Sequence, residues 1–142
     1  MGKKSSSEKL VIAAASAGAA VGAAYLAVGN AIFNKTMSKK SIAKKMDEKK
    51  NEYDGITKEG MEWFDSASPA KVKIVTPRGG YVHGEIILAD EPSDVWVIVI
   101  HGYTGSPRRM GSFGKKFHEM GYNCLFPYLC GHGASESNYV TM

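Results

Sequence analysis

Residues Val95–Ser106, VWVIVIHGYTGS, constrain the fold more than any other stretch. They begin with Val95-Trp96-Val97-Ile98-Val99-Ile100, a charge-free run dominated by β-branched valine and isoleucine. Such a run, apolar on both faces, reads as a strand buried inside a parallel sheet. It stops at His101-Gly102-Tyr103-Thr104-Gly105, where two glycines permit a tight turn and expose backbone N–H groups. Ser106-Pro107 then opens a helix, with Ser as N-cap and Pro at the first helical position. Strand, glycine turn and helix N-terminus aim N–H donors and a positive dipole end at one point. That arrangement suits an anion or an oxyanion.

The following helix places Met110, Phe113, Phe117 and Met120 at three- and four-residue spacing, facing a sheet. Lys115, Lys116, His118 and Glu119 fall on its wet side, and Gly121 takes the C′ position. Tyr122–Pro127 is the next strand, buried through Cys124, Leu125 and Phe126, so Val95–Pro127 reads as one βαβ unit. Leu129–Ser135 is a loop, and residues 138–142 carry no readable pattern. Upstream, a short helix over Gly55–Phe64 is expected, with Thr57 as its cap and Glu59 in its first turn. Met61, Trp63 and Phe64 form its apolar face, as core packing rather than a substrate cleft. Lys71–Val75 and Tyr81–Ala89 alternate as strands around the turn cluster Thr76-Pro77-Arg78-Gly79-Gly80, with Val82, Ile86 and Leu88 on one face. That is a β-hairpin.

Together, VIVIHGYTGSP, the amphipathic helix, the second strand and Gly131-His132-Gly133-Ala134-Ser135 resemble the first part of an α/β-hydrolase. The nearest likeness is to the membrane-anchored, serine-aminopeptidase-like or esterase-like hydrolases of Gram-positive bacteria, over roughly residues 54–142. The resemblance implies that the backbone N–H of Tyr103 is half of an oxyanion hole. It implies that His101, Gly102, Thr104 and Gly105 form the loop around that donor, with His101 supporting the turn. Ser135 matches the closing serine of a structural loop. Arg108 and Arg109, in a helix first turn where the dipole disfavours cations, are candidate contacts for an anionic substrate group. Exposed surface arginines are the blander alternative.

The N-terminal third has a different character. Residues 1–9 are polar, with Lys3, Lys4 and Lys9, and Met1-Gly2 with Ser6 fits an acylation pattern too short to weigh. Leu10–Phe33 runs 24 residues without a charge, long enough to cross a bilayer as a helix. A retained single-pass anchor is the preferred reading. A signal peptide cleaved near Gly29-Asn30-Ala31 and a buried soluble helix remain alternatives. Gly18 and Gly22 form a G-x-x-x-G that chance explains in so Gly- and Ala-rich a segment. Residues 34–53 are a lysine-dense linker, read as a solvated, partly helical spacer beside anionic head groups. Seven lysines after the span against three before it lean toward a cytoplasmic C-terminal side, opposite to the resembled hydrolases. The side of the membrane stays open.

Much of the chemistry is missing. A serine hydrolase of this kind needs a G-x-S-x-G elbow, then an Asp or Glu, then a His. No G-x-S-x-G occurs; Gly133-Ala134-Ser135-Glu136-Ser137 lacks the closing glycine, follows no strand and opens no helix. The triad is therefore not expected in these 142 residues. The expected fold is α/β: a truncated hydrolase sheet, hairpin plus one βαβ unit, preceded by a transmembrane helix. Met142 directly after a loop, leaving an open parallel edge, favours a fragment. The expected function is that of the N-terminal part of a membrane-anchored serine hydrolase acting on an ester or peptide-like small-molecule substrate, inert by itself. The competing class is a non-catalytic, small single-pass membrane protein serving as an interaction module.

No cofactor is expected. A metal site from Cys124, Cys130 and His132 lacks an evident fourth ligand, and His83 has no ligand spacing around it. The two cysteines are expected as free thiols. The net charge of +4 comes largely from lysines near the N-terminus and does not point to nucleic acid.

Overall fold

The computed structural model describes residues 5–48, 53–77 and 79–140. Lys3, Lys4, Lys49, Lys50, Arg78, Met142 and the Met1-Gly2 end of the acylation pattern lie outside the described residues. The chain divides into two compact units, Met1–Thr36 and Met37–Met142.

The first unit is one helix, α1, Ser6–Met37, whose last residue falls in the second unit. It starts inside the stretch read as a polar N-terminus because Ser5 and Glu8 form a capping box. The Ser5 N–H donates to Glu8 Oε2 at 2.9 Å and the Glu8 N–H to Ser5 Oγ at 3.4 Å. The helix is long and apolar enough to cross a membrane, and none of its residues is buried. Its polar side chains turn back on the backbone. Ser16 Oγ donates to the Ile12 carbonyl at 2.7 Å, and Asn34 Nδ2 to the Asn30 carbonyl at 2.8 Å. Such local bonding removes the cost of carrying those groups into an apolar phase.

The second unit is a four-stranded mixed sheet with two helices, Gly55–Ser66 and Gly111–Glu119, packed on one face. In chain order its elements are α2 (Lys39–Glu48), α3 (Gly55–Ser66), β1 (Ala70–Val75), β2 (Tyr81–Ile87), β3 (Trp96–Ile98), a 3-10 turn at Pro107–Met110, α4 (Gly111–Glu119) and β4 (Asn123–Pro127). The strand order is β1-β2-β4-β3, with β1/β2 and β2/β4 antiparallel and β3/β4 parallel. The hairpin and the βαβ crossover both form.

Register decides which side chains are covered, because directly paired residues share a face. Glu85 pairs with Phe126, Ile87 with Cys124, and Val97 with Cys124. That face carries the core: Phe64, Ile87, Val99, Cys124 and Phe126, with Trp63, Val97, Met110 and Phe117 packed around it. Phe64 meets Phe126 edge-on at 5.0 Å between ring centroids. The opposite face holds Val82 and Ile86, and Leu88 beyond the strand is exposed. The face that alternation marks out on β2 is thus not the one the helices cover.

Three further expectations are corrected. The run Val95–Ile100 yields a strand only over Trp96–Ile98, and it lies at the sheet edge rather than in its interior. Val99 is buried, but Trp96, Ile98 and Ile100 are 50%, 59% and 59% exposed. The helix cap is Asp54, whose Oδ1 accepts the Thr57 N–H at 2.8 Å, and Glu59 falls past the first turn. Hydrogen bonding from Thr57 holds the Asp54 carboxyl below its usual range.

The α4 face differs as well. Phe113 and Met120 are each 60% exposed, while Gly111 and Gly114 are buried. A Cβ on Gly111 would collide with the Gly60 carbonyl, and one on Gly60 with the Ser112 backbone. Two helices cross here at backbone contact, which only paired glycines permit. His118, expected on the wet side, is half-buried, with Nε2 3.0 Å from the Leu88 carbonyl and its ring against Trp63.

The lysine-rich stretch also does more than space. Its α2 buries Ile42, at 1% exposure, and Val140 is equally buried. The Lys39 N–H donates to the Asn138 carbonyl at 2.9 Å, Lys39 Nζ to the Ser135 carbonyl at 2.8 Å, and the Val140 N–H to the Met37 carbonyl at 2.8 Å. Residues 138–140, unreadable in sequence, are the strap to which α2 is tied.

Candidate functional site

The turn after β3 is held by its carbonyls. The Gly102 carbonyl accepts the Gly105 N–H at 2.9 Å and faces His101 Nδ1 at 2.9 Å. The Tyr103 carbonyl lies 2.6 Å from His132 Nε2. The Thr104 carbonyl accepts Arg109 Nη1 at 2.8 Å. Three successive peptides are therefore held by their oxygens. A trans peptide is planar, so each held oxygen fixes the opposed N–H of the next residue.

His101 is buried at 2% exposure. A carbonyl can only accept, so Nδ1 carries the hydrogen toward Gly102. Nε2 in turn accepts the Leu129 N–H at 3.3 Å. Burial holds this imidazole below its usual range, with smaller contributions from His132 and Arg109. Both nitrogens are committed in the neutral form, which leaves no lone pair for a general base. His101 braces the turn.

The second half of the brace comes from Leu129–Ser135. Gly131 and Gly133 sit at φ +75° and +50°, the left-handed region that glycine occupies without penalty, and Cβ atoms there would strike Tyr139 and Tyr128. This folds His132 inward to 2% exposure, with its ring 4.7 Å from that of His101. Ser135 is fully buried; its hydroxyl donates to the Tyr128 carbonyl at 2.7 Å and accepts the His83 N–H at 2.9 Å. A serine so enclosed presents no nucleophile.

The two arginines diverge. Arg108 pairs with Asp65 of α3, Nε to Oδ1 at 2.7 Å and Nη2 to Oδ2 at 2.5 Å, which holds the Asp65 carboxyl below its usual range. Arg109 belongs to the turn, through Thr104 and with its guanidinium 4.7 Å over the Tyr53 ring. Ser106 has the extended conformation of a cap, but its side chain makes no capping bond.

Cys124 is buried and Cys130 half-buried, both free, and burial pushes the Cys124 thiol up. The Cys124 thiol faces the Gly114 and Tyr122 carbonyls. Among the described residues, no group of three or more His, Cys, Asp or Glu is placed to hold a metal ion. A cleft of about 390 Å³ beside Arg108 contains Glu85 and Tyr128. Burial pushes the Glu85 carboxyl up, and the Tyr128 hydroxyl that donates to it at 3.2 Å is pushed up to about 12. Trp63 both packs on the core and lines a second cleft, of about 410 Å³. Neither cleft is lined by His101–Gly105.

Sequence reasoning located the turn and missed the part played by His132. The available signal was the pairing of His101-Gly102 with Gly131-His132-Gly133, each following one of two adjacent parallel strands. No family model, curated protein or solved structure matches this chain.

Proposed function

We propose that residues 54–142 are the N-terminal portion of a serine hydrolase domain of the α/β-hydrolase type, anchored to a membrane by Leu10–Phe33. In this reading the Tyr103 N–H is one of two donors to the oxyanion formed when an ester or peptide-like acyl bond is attacked. The observation that carries it is the tying back of the Gly102, Tyr103 and Thr104 carbonyls, which gives the turn's N–H groups a fixed orientation at the C-terminal end of a parallel strand. Preorganisation is what such a donor requires, since its value lies in needing no reorganisation as charge develops. One donor is worth about 3–4 kcal/mol of transition-state stabilisation. Supporting it are the hairpin that leads into β3 and the β3–α4–β4 crossover.

In this reading neither Ser135, which is enclosed, nor His101, which is committed as a neutral brace, serves as nucleophile or triad histidine. Nucleophile, acid and triad histidine then come from chain that follows these residues in the whole protein. The alternative, a non-catalytic membrane module, draws on the apolar side chains exposed along β3.

One experiment separates the two. The 142-residue chain and the product of its reading frame extended by several hundred bases are each treated with a fluorophosphonate serine probe. The extended product is expected to label at a G-x-S-x-G serine and the 142-residue chain not to label. A stop codon with no such motif, or an extended product that never labels, removes the enzyme assignment.

A further inference from the structure

His132 stands 29 residues from Tyr103 in sequence and makes its shortest hydrogen bond there. Nε2 is 2.6 Å from the Tyr103 carbonyl oxygen, an atom that can only accept, so Nε2 carries the hydrogen. Nδ1 lies 3.3 Å from the Cys130 carbonyl, within its own loop; that oxygen too can only accept, so a ring with one hydrogen directs it to the much shorter contact, at Tyr103. The ring is buried and packed against the His101 ring. Rotation away from Tyr103 would strand a polar hydrogen in an enclosed site, at the cost of an unmade buried hydrogen bond.

The two histidines hold the two peptides that flank one α-carbon. His101 holds the Gly102 carbonyl, and with it the plane that carries the Tyr103 N–H. His132 holds the Tyr103 carbonyl, and with it the plane that carries the Thr104 N–H. With both planes fixed, Tyr103 has no free backbone torsion by which its N–H could swing. A donor whose own peptide carbonyl is hydrogen-bonded is also polarised, which strengthens the N–H.

We infer that His132 is a positioning residue of the oxyanion turn: through the Tyr103 carbonyl it fixes the Tyr103–Thr104 peptide, while His101, through Gly102, fixes the peptide that carries the Tyr103 donor, so that the donor residue is held from both sides. This rests on Tyr103 being an oxyanion donor. The bonds themselves are tested without any hydrolysis, so failure of the labelling experiment and failure of this inference are distinguishable.

The test compares amide resonances of the full 142-residue chain in detergent micelles. A glutamine amide nitrogen falls near the Nε2 position of histidine and an asparagine amide nitrogen near Nδ1. His132→Gln therefore keeps a donor toward Tyr103 and His132→Asn removes it. The expected result is an upfield displacement of the Thr104 amide nitrogen in His132→Asn, restored in His132→Gln. For His101 the order reverses: His101→Gln displaces the Tyr103 amide nitrogen upfield and His101→Asn restores it. A purely space-filling role would not follow the donor position. An undisplaced Thr104 nitrogen in His132→Asn, or equal displacement in both His132 variants, overturns the inference. Should the variants not fold, the ring nitrogens of the unaltered chain decide: His132 protonated at Nε2 and His101 at Nδ1 are expected, and the opposite tautomer at either ring overturns it.

Discussion

The Ser135 hydroxyl donates to the Tyr128 carbonyl at 2.7 Å, closing the end of the sheet where β2 and β4 part. The same oxygen accepts the His83 N–H at 2.9 Å, while the Tyr128 N–H reaches the His83 carbonyl at 2.8 Å. One hydroxyl thus satisfies two backbone groups that the ladder leaves over. Ser135→Ala is expected to cost about 1–3 kcal/mol, the penalty for leaving buried partners unpaired. Chemical denaturation of both proteins measures it. Ser135→Thr is expected to fail as a rescue, since the site has no exposed surface for another methyl.

The buried His101 gives the turn a pH dependence of definite sign. Its folded-state value is depressed from 6.5, so the unfolded chain binds the proton more readily. The contribution is full above pH 6.5 and is lost as pH falls from there through the depressed folded value. Thermal melts are expected to show a lower midpoint at pH 5 than at pH 7.5. His101→Asn keeps the bond to Gly102 without the titrating nitrogen, and is expected to reduce that difference. An equal difference in the variant would assign the pH effect to other groups.

What was legible in the sequence follows from where local chemistry dominates. A strand within Val95–Ile100, though not its length, and the His101–Gly105 turn were readable because β-branched residues and glycines announce themselves within a dozen positions. The hairpin was readable from alternation. Burial of β3 was not, because apolar character says a strand is suited to cover and not that cover is present. The α4 face was misread for a related reason. Periodicity follows large side chains, and here the contact is made by Gly60 and Gly111, which have none. Among the described residues, the docking of α2 shows one buried apolar side chain, Ile42, in a lysine-rich helix, and partners about a hundred positions away. No local pattern encodes that. The coupling of His132 to Tyr103 escaped for the same reason.

Ile42 supplies the apolar anchor of α2, at 1% exposure. Ile42→Ala is expected to destabilise residues 37–142 by about 2–5 kcal/mol, as deletion of a large buried aliphatic side chain does. Lys40→Ala, at an exposed position of the same helix, is expected to stay within about 0.5 kcal/mol. Urea titrations compare the two. Similar effects from both variants would show that α2 is not docked through Ile42.

Gly111 tests the crossing of α3 and α4. Its absent Cβ is replaced by the Gly60 carbonyl, so Gly111→Ala forces the helices apart. Overpacking of this kind costs about 1–3 kcal/mol. Helix propensity would favour alanine by about 1 kcal/mol were the site open. The sign of the measured change therefore decides between a close crossing and a loose one, and destabilisation is expected. Because the crossing also seats Phe64 on Phe126, near-ultraviolet aromatic signals are expected to weaken alongside.

The edge strand carries the last expectation. Trp96 and Ile98 project from the uncovered face of β3, with Ile100 exposed just beyond it, and an apolar edge with unpaired backbone groups invites other chains to add to it. Ile98 is 59% exposed, so a charge there touches no core contact. Ile98→Lys is expected to lower light scattering and raise the monomer fraction of the purified chain in detergent, while changing stability by no more than about 0.5 kcal/mol. Val99→Lys, one residue along and buried on the helix-covered face, is expected to unfold the sheet instead. Equal tolerance of both lysines would mean that β3 does not sit in this register, since a slip of one residue exchanges its two faces.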